Sequence, residues 1–352
     1  MSEIVLMKGN EAMSEAAIKS GCRYYFGYPI TPQNEIAEYM AERMPQVNGL
    51  CIQAESEIAA INMVLGASSA GARVMTSSSS PGVSLKTEGI SYLVGSDLPC
   101  VIVNVQRGGP GLGGIQPAQS DYYQATKAMG HGDMRLIVLA PNSIQEMVEL
   151  TCLAFDLADL YRTPVMMLAD GALGQMMEPV DFSKIKTREI PEKTWVAAGH
   201  QNKRKPNIIN SLYIDPQDLE DLVLKRYKEV YSVIEDQEVR YEEFDVEDSD
   251  IVIVSYGIAS RIAKTAVDRC RKQGVKAGYF RPITLYPYPS KRLGEIADMT
   301  KRFLVTELNM GQMVGDVKLA TECKRPVDFI GRTGGVIQTP DEVYEAIIKV
   351  LG

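Results

Sequence analysis

From Glu11 to Ala169 the chain alternates apolar runs of strand length with amphipathic runs of helix length, and few folds accept that rhythm. Glu11 to Lys19 reads as helix, Arg23 to Phe26 as strand, Gln33 to Arg43 as helix, Leu50 to Gln53 as strand and Glu57 to Ala70 as helix. Strands at Arg73 to Thr76, Cys100 to Val105, Ile137 to Leu139 and Val165 to Ala169 follow, with helices at Lys86 to Val94 and Ser143 to Tyr161. Repeated strand–helix units predict a parallel sheet covered on both faces, so a doubly wound α/β domain is expected over residues 1–180. The pattern weakens over 181–249. There Gln201 to Lys205 reads as a solvated loop and Pro216 to Asp236 as one exposed, charged helix, so a linker is expected. A second α/β domain is expected over 250–352, with strands at Ile251 to Tyr256, Lys276 to Phe280 and Phe303 to Glu307 and a helix at Ser260 to Gln273.

Charge and cysteine usage narrow the chemistry. A formal net charge of -8 over 352 residues argues against a nucleic-acid surface, which recruits clustered Lys and Arg. Met1 to Lys8 lacks the basic start and apolar run of an export signal, and no window approaches about 18 consecutive apolar residues, so no membrane association and a cytoplasmic location are expected. The six cysteines stand singly at 22, 51, 100, 152, 270 and 323, without the spacing of a zinc or iron-sulfur site. They read as buried or incidental thiols, and no metal is expected on this chain. With two histidines, His131 and His200, catalysis must lean on carboxylates, hydroxyls, Arg or a bound cofactor.

Several segments fall just past strands, where open α/β sheets hold ligands. In Tyr28-Pro29-Ile30-Thr31-Pro32 two prolines restrict the backbone around Thr31 and point its hydroxyl in one direction, suited to a carboxylate or carbonyl. The same residues equally describe a turn in which Thr31 caps a helix begun by Pro32. Glu57 opens an alanine-rich helix with Ile58, Ile61, Val64 and Leu65 behind it. It is either a first-turn carboxylate favoured by the helix dipole or, in a dry crevice, a group that exchanges a proton with a ring nitrogen. Glu55 is expected to face solvent. The small side chains of Thr76 to Gly82 allow a flat or anionic ligand close to the backbone, or simply allow helix and strand to pack. Arg107, at a strand end, is either a bidentate carboxylate ligand or a surface ion pair. The glycines at 109, 111 and 114 fit Gly-x-Gly-x-x-Gly formally. Pro110 and the missing helix after Ile115-Gln116-Pro117 argue against a dinucleotide site. His131 is either a structural loop residue or a visitor to the same crevice.

Taken together, Tyr28 to Pro32, Glu55 to Ala60, Ser79 to Gly82 and Val105 to Pro110 resemble the α subunit of 2-oxoacid:ferredoxin oxidoreductases. So do Arg281 to Pro287 and Glu307 to Gln312 in the second half. The resemblance implies a doubly wound domain that binds the pyrimidine of thiamine diphosphate and a smaller transketolase-C-like domain. By motif position Glu57 would hydrogen-bond the pyrimidine N1′, while Thr31 and Arg107 would hold the 2-oxoacid. Tyr28, Pro29, Ile30, Ser79, Ser80, Pro81 and Gly82 would line the cofactor.

No Gly-Asp-Gly with a following Asn is present, so a β subunit would carry the Mg²⁺ and diphosphate half of the site. Iron-sulfur clusters would sit on a ferredoxin-like chain, a γ subunit is expected, and CoA and ferredoxin would take the acyl group and the electrons. Motif wording in Lys8 to Ala12, Pro32 to Glu35 and Gly113 to Pro117 resembles the 2-oxoisovalerate (branched-chain) members, ahead of 2-oxoglutarate and then pyruvate. A dicarboxylate needs a second cation, for which Lys86 is the candidate, with Glu88 beside it to neutralise it. A non-catalytic scaffold subunit, or a nucleotide-binding enzyme using the 109–114 turn, remains the alternative. The Arg281 to Pro287 and Glu307 to Gln312 motifs either pack the second domain or contact CoA.

Overall fold

Strands whose side chains are buried on both faces read as mostly apolar runs, and two of them lie at the centre of the larger sheet. Val101–Gln106 and Val165–Asp170 are buried at every residue and pair in parallel along their whole length. Around them lies a seven-stranded sheet in the order Thr284–Tyr286, Ile137–Leu139, Val165–Asp170, Val101–Gln106, Val74–Ser78, Tyr24–Gly27, Leu50–Gln53. All neighbours are parallel except Thr284–Tyr286, which runs antiparallel at one edge. The structure is a computed structural model and describes residues 4–352. Met1 to Glu3, part of the stretch read for an export signal, lie outside the described residues. No helix among the described residues is long and apolar enough to cross a membrane.

The second sheet has five strands, Val327–Gly331, Arg302–Glu307, Ile251–Val254, Ala277–Pro282 and Tyr241–Phe244, the last antiparallel. Ile4–Lys8 and Met177–Asp181 pair separately, tying the start of the first domain to its end. These two strands, together with Tyr241–Phe244, Thr284–Tyr286 and Val327–Gly331, are absent from the pattern reading. Each is three to five residues long and exists only through a partner distant in sequence. The charged helix runs from Pro216 to Gln237, widening over Tyr227–Tyr231.

Polar contacts hold the second domain on the first, and both motifs of its sequence take part. Arg281, nearly fully buried, takes Glu146 bidentately at 2.7 and 2.9 Å and Glu242 through Nε at 2.9 Å. The Glu307 carboxylate accepts the backbone N–H groups of Gln312, Met313 and Val314. Asn309 and Gln312 then donate to the carbonyls of Gln119 and Ser120. Both motifs of the second half therefore serve packing.

Candidate functional site

The strands Tyr24–Gly27, Leu50–Gln53, Val74–Ser78 and Val101–Gln106 are parallel, so the residues after each emerge at one edge of the sheet. That edge carries the Tyr28–Pro32 turn, Glu57, Ser79 to Gly82 and Arg107. Parallel register alone brings together segments up to 80 residues apart in the chain.

Glu57 is the first residue of the Glu57–Ser69 helix, behind Ser56, whose hydroxyl accepts the Ala59 N–H at 3.1 Å. It is buried, only 6% exposed, and no protein donor reaches its carboxylate among the described residues. Opposite lies Gly82 in the first turn of Ser80–Gly95. A Cβ there would overlap Glu57 Oε1 and Ser78 Oγ and would stand 3.0 Å from Glu57 Cδ. Glycine is thus required by close approach. The helix starts six residues before the expected Lys86, at the end of the serine run, because Pro81 suits a first helical turn.

Thr31 does not cap a helix. The next one starts at Asn34, and Asn34 Nδ2 reaches Thr31 Oγ1 at 3.4 Å, leaving the Thr31 O–H free to donate. The turn is braced from below, in a way the pattern reading missed. Gln33 is fully buried, accepts the Ser77 hydroxyl and donates to the Tyr28 carbonyl at 3.3 Å, and Ser77 pairs with the Tyr25 hydroxyl at 2.7 Å. Tyr28 and Pro29 are exposed and Ile30 is half-buried.

Arg107 is buried and is not a surface ion pair. Its guanidinium donates to the carbonyls of Thr31 at 2.9 Å and Leu112 at 3.1 Å, and its Nε has no partner. The Ser80 hydroxyl donates to Asp121 at 2.6 Å and accepts the Arg107 N–H at 3.1 Å, so it belongs to the frame of the site. Asn104 completes that frame, donating to Asp121 at 2.9 Å and accepting the Ser80 N–H at 3.1 Å. Burial pushes the Asp121 carboxyl up, against the pull of Ser80, Asn104 and Arg107. Asn104 and Asp121 carry no sequence motif, and like Gln33 they show their part only once the strands are paired.

The structure also places the other residues singled out in the sequence. Lys86 does not face the site as a second cation. It is fully buried and donates to Thr76 Oγ1 at 2.6 Å and the Ser77 carbonyl at 2.9 Å. Glu88 points the other way, accepting the Tyr92 hydroxyl at the surface, so it does not neutralise Lys86. His131 packs edge-on against Tyr92, about 15 Å along the helix from Gly82, and does not visit the crevice. The 109–114 turn is an exposed loop closed by Gly108 and Gly114, with no helix after it until Tyr122. Glu55 is exposed, as expected. A cleft of about 950 Å³ lies away from these residues, between Arg135, Tyr286 and Arg292.

Ser78 Oγ, Ser79 Oγ and Arg107 Nε, buried at this edge, are without partners among the described residues. With the unpaired Glu57 carboxylate and the cradle at Gly82, they suit a flat, nitrogen-bearing ring at Glu57 and an anionic group at Arg107. These residues therefore fit the pyrimidine of thiamine diphosphate.

Comparison with known proteins agrees. Residues 15–245 match the family described as pyruvate flavodoxin/ferredoxin oxidoreductase, thiamine diphosphate-binding, and residues 249–343 match pyruvate:ferredoxin oxidoreductase core domain II. The chain is 49% identical to ketoisovalerate oxidoreductase subunit VorB of Methanothermobacter marburgensis, over 99% of this chain and 98% of that one. It is 35% identical to 2-oxoglutarate synthase subunit KorA of Methanocaldococcus jannaschii, over 98% of this chain and all of that one. Among solved structures, 2-oxoglutarate:ferredoxin oxidoreductase from Magnetococcus marinus superposes with a TM-score of 0.90 at 28% identity, covering all of this chain and 66% of that one. A split-gene transketolase at 16% identity and a TM-score of 0.63 shares the fold. The chain belongs to the 2-oxoacid:ferredoxin oxidoreductases, as a subunit carrying their thiamine-diphosphate-binding domain.

Proposed function

We propose that this chain is the α subunit of a complex that oxidatively decarboxylates 2-oxoisovalerate with CoA, giving isobutyryl-CoA, CO₂ and reduced ferredoxin. The observation that carries the reading is the buried, unpartnered Glu57 carboxylate facing the Gly82 cradle at the ends of parallel strands. Bound thiamine diphosphate supplies the carbanion chemistry that 2-oxoacid decarboxylation requires. Glu57 holds a proton at the pyrimidine N1′ from the first turn of its helix. Ser78, Ser79, Pro81 and Gly82 shape the wall against the ring, Tyr28, Pro29 and Ile30 border it, and Ser80 keeps that wall in place through Asp121. Arg107 and the Thr31 hydroxyl grip the 1-carboxylate and carbonyl of the substrate.

Two observations favour a branched apolar substrate. Identity is higher to ketoisovalerate oxidoreductase subunits, 48–49%, than to 2-oxoglutarate synthase subunits, 35–36%. Lys86, the cation that would have paired a second carboxylate, is turned into the protein. The half-site is open towards solvent through Tyr28, Ile58 and Leu85, 37%, 52% and 52% exposed. This apolar rim suits a β subunit bringing the diphosphate and Mg²⁺ ligands. A γ subunit and a ferredoxin-like chain with iron-sulfur clusters complete the complex. Its place is the cytoplasm, in keeping with six free thiols.

The test is CoA-dependent viologen reduction by the anaerobically purified complex with thiamine diphosphate and Mg²⁺, comparing 2-oxoisovalerate, 2-oxoglutarate and pyruvate. Preference for 2-oxoisovalerate is expected. Preference for 2-oxoglutarate would keep the enzyme class and overturn the substrate, and no reduction with any of them, from a complex holding its clusters, would overturn both.

A further inference from the structure

Lys86 is left without a task by that reading. Its side chain is fully buried, and its two acceptors are ordinary ones: Thr76 Oγ1, which itself donates to the Phe26 carbonyl, and the Ser77 carbonyl. A methionine or leucine would fill the same space without taking an ammonium out of water, so packing does not explain a lysine here.

Its neighbours in the helix show what it approaches. A Cβ on Gly82 would overlap Glu57, and a Cβ on Gly89 would stand 2.5 Å from Ile61 Cγ2. Gly82, Lys86 and Gly89 are spaced four and three apart and form one stripe, as do Glu57 and Ile61 on the facing helix. Lys86 therefore enters between the two points where the helices touch, and Glu57 and Cys100 are the titratable groups that act on it. Burial pushes the ammonium down to about 7, with Glu57 pulling it back up. The Cys100 thiol is pushed up by its own burial and stays uncharged.

We propose that Lys86 is a positioning residue of the cofactor site: its buried ammonium is the counter-charge that lets the Glu57 carboxylate stand unpaired in the site and keeps it aimed past Gly82. This rests on the reading of Glu57 as the contact to the pyrimidine. Lys86 touches neither substrate nor cofactor and acts through Glu57.

A double-mutant cycle tests it, using the assembled complex stripped of thiamine diphosphate. Lys86→Met is made with Glu57 present and in the Glu57→Gln background, and both the melting temperature and thiamine diphosphate binding by calorimetry are read. With Glu57 present, Lys86→Met is expected to weaken binding about 10-fold or more and to lower the melting temperature. In the Glu57→Gln background, where the carboxylate is gone, it is expected to change binding less than about 3-fold and to leave melting unchanged or raised. Equal losses in both backgrounds would show that Lys86 merely packs, and would overturn the proposal.

Should Lys86→Met fail to assemble, Lys86→Gln keeps donors for Thr76 and Ser77 without the charge. Failure of both only where Glu57 is present supports the coupling, and failure in both backgrounds overturns it. The underlying reading fails differently: Glu57→Gln alone would leave cofactor affinity and turnover intact.

Discussion

Replacing Gly82 with alanine separates the geometry of the site from the stability of the fold. Gly82 lies in the first turn of Ser80–Gly95, where alanine is the better helix former by up to about 1 kcal/mol, so no loss from the backbone is expected. The added Cβ would overlap Glu57 Oε1 and Ser78 Oγ, and would stand 3.0 Å from Glu57 Cδ, where ordinary contact begins at 3.4 Å. Both intruding oxygens are ends of side chains and can swing away, so the protein still folds. The carboxylate must retreat on the order of 1 Å, however, and a displacement of that size at a reacting group costs about 10²-fold in rate, or about 2.7 kcal/mol. We therefore expect Gly82→Ala to assemble with an unchanged or slightly raised melting temperature while 2-oxoacid-dependent viologen reduction, at saturating thiamine diphosphate, falls about 100-fold. Turnover within a factor of about 3 of wild type would refute the argument, since Glu57 would then have no need of its observed position.

Three further outcomes follow from the same geometry. Glu57→Gln should cut turnover by about 10²-fold or more with assembly intact, and full turnover at high thiamine diphosphate would remove Glu57 from the reaction. Arg107→Lys keeps the charge but loses the planar fork held by the Thr31 and Leu112 carbonyls, so KM for the 2-oxoacid should rise about 10-fold or more; an unchanged KM would free Arg107 of substrate. Asp170, which accepts the N–H groups of Ala172, Leu173 and, across the domains, Ile258, has its carboxyl pushed up by burial to about 6. With the folded value above the ordinary one, the stability this group lends is complete below about pH 4 and is lost as pH rises through about 6. Denaturation of Asp170→Asn and wild type from about pH 4 to 7 should therefore show the difference moving towards the variant, and a flat difference would contradict the shift.

Much of the fold was legible along the chain because parallel central strands are buried on both faces and need mostly apolar runs, as in Val101–Gln106, broken only by Asn104 before its terminal Gln106, and Val165–Asp170, apolar up to its terminal Asp170. Edge strands lack that constraint. Thr284–Tyr286 is a strand because it meets Ile137–Leu139, and nothing local in Thr-Leu-Tyr announces it. The candidate site divides in the same way. Glu57, Thr31, Arg107 and Gly82 stood out because each interrupts an apolar strand-and-helix pattern just past a strand end. Gln33, Asn104 and Asp121 did not, because a buried amide or carboxylate declares its part only through partners distant in sequence.

Lys86 marks the boundary most clearly. In the sequence it stands among Ser84, Leu85, Thr87 and Glu88, where it reads as the candidate cation for a second substrate carboxylate, with Glu88 beside it to neutralise it. In the folded chain the helical stripe it shares with Gly82 and Gly89 faces the sheet and the Glu57 helix, and so it is buried. The alternation of elements, the doubly wound sheet and the positions just past its strands could be read along the chain, because these follow from hydrophobic period and local backbone restriction. Which side chains meet at the sheet edge, which hydroxyls remain free and which charge is turned inward emerged on folding, because burial and pairing are properties of facing surfaces and not of single segments.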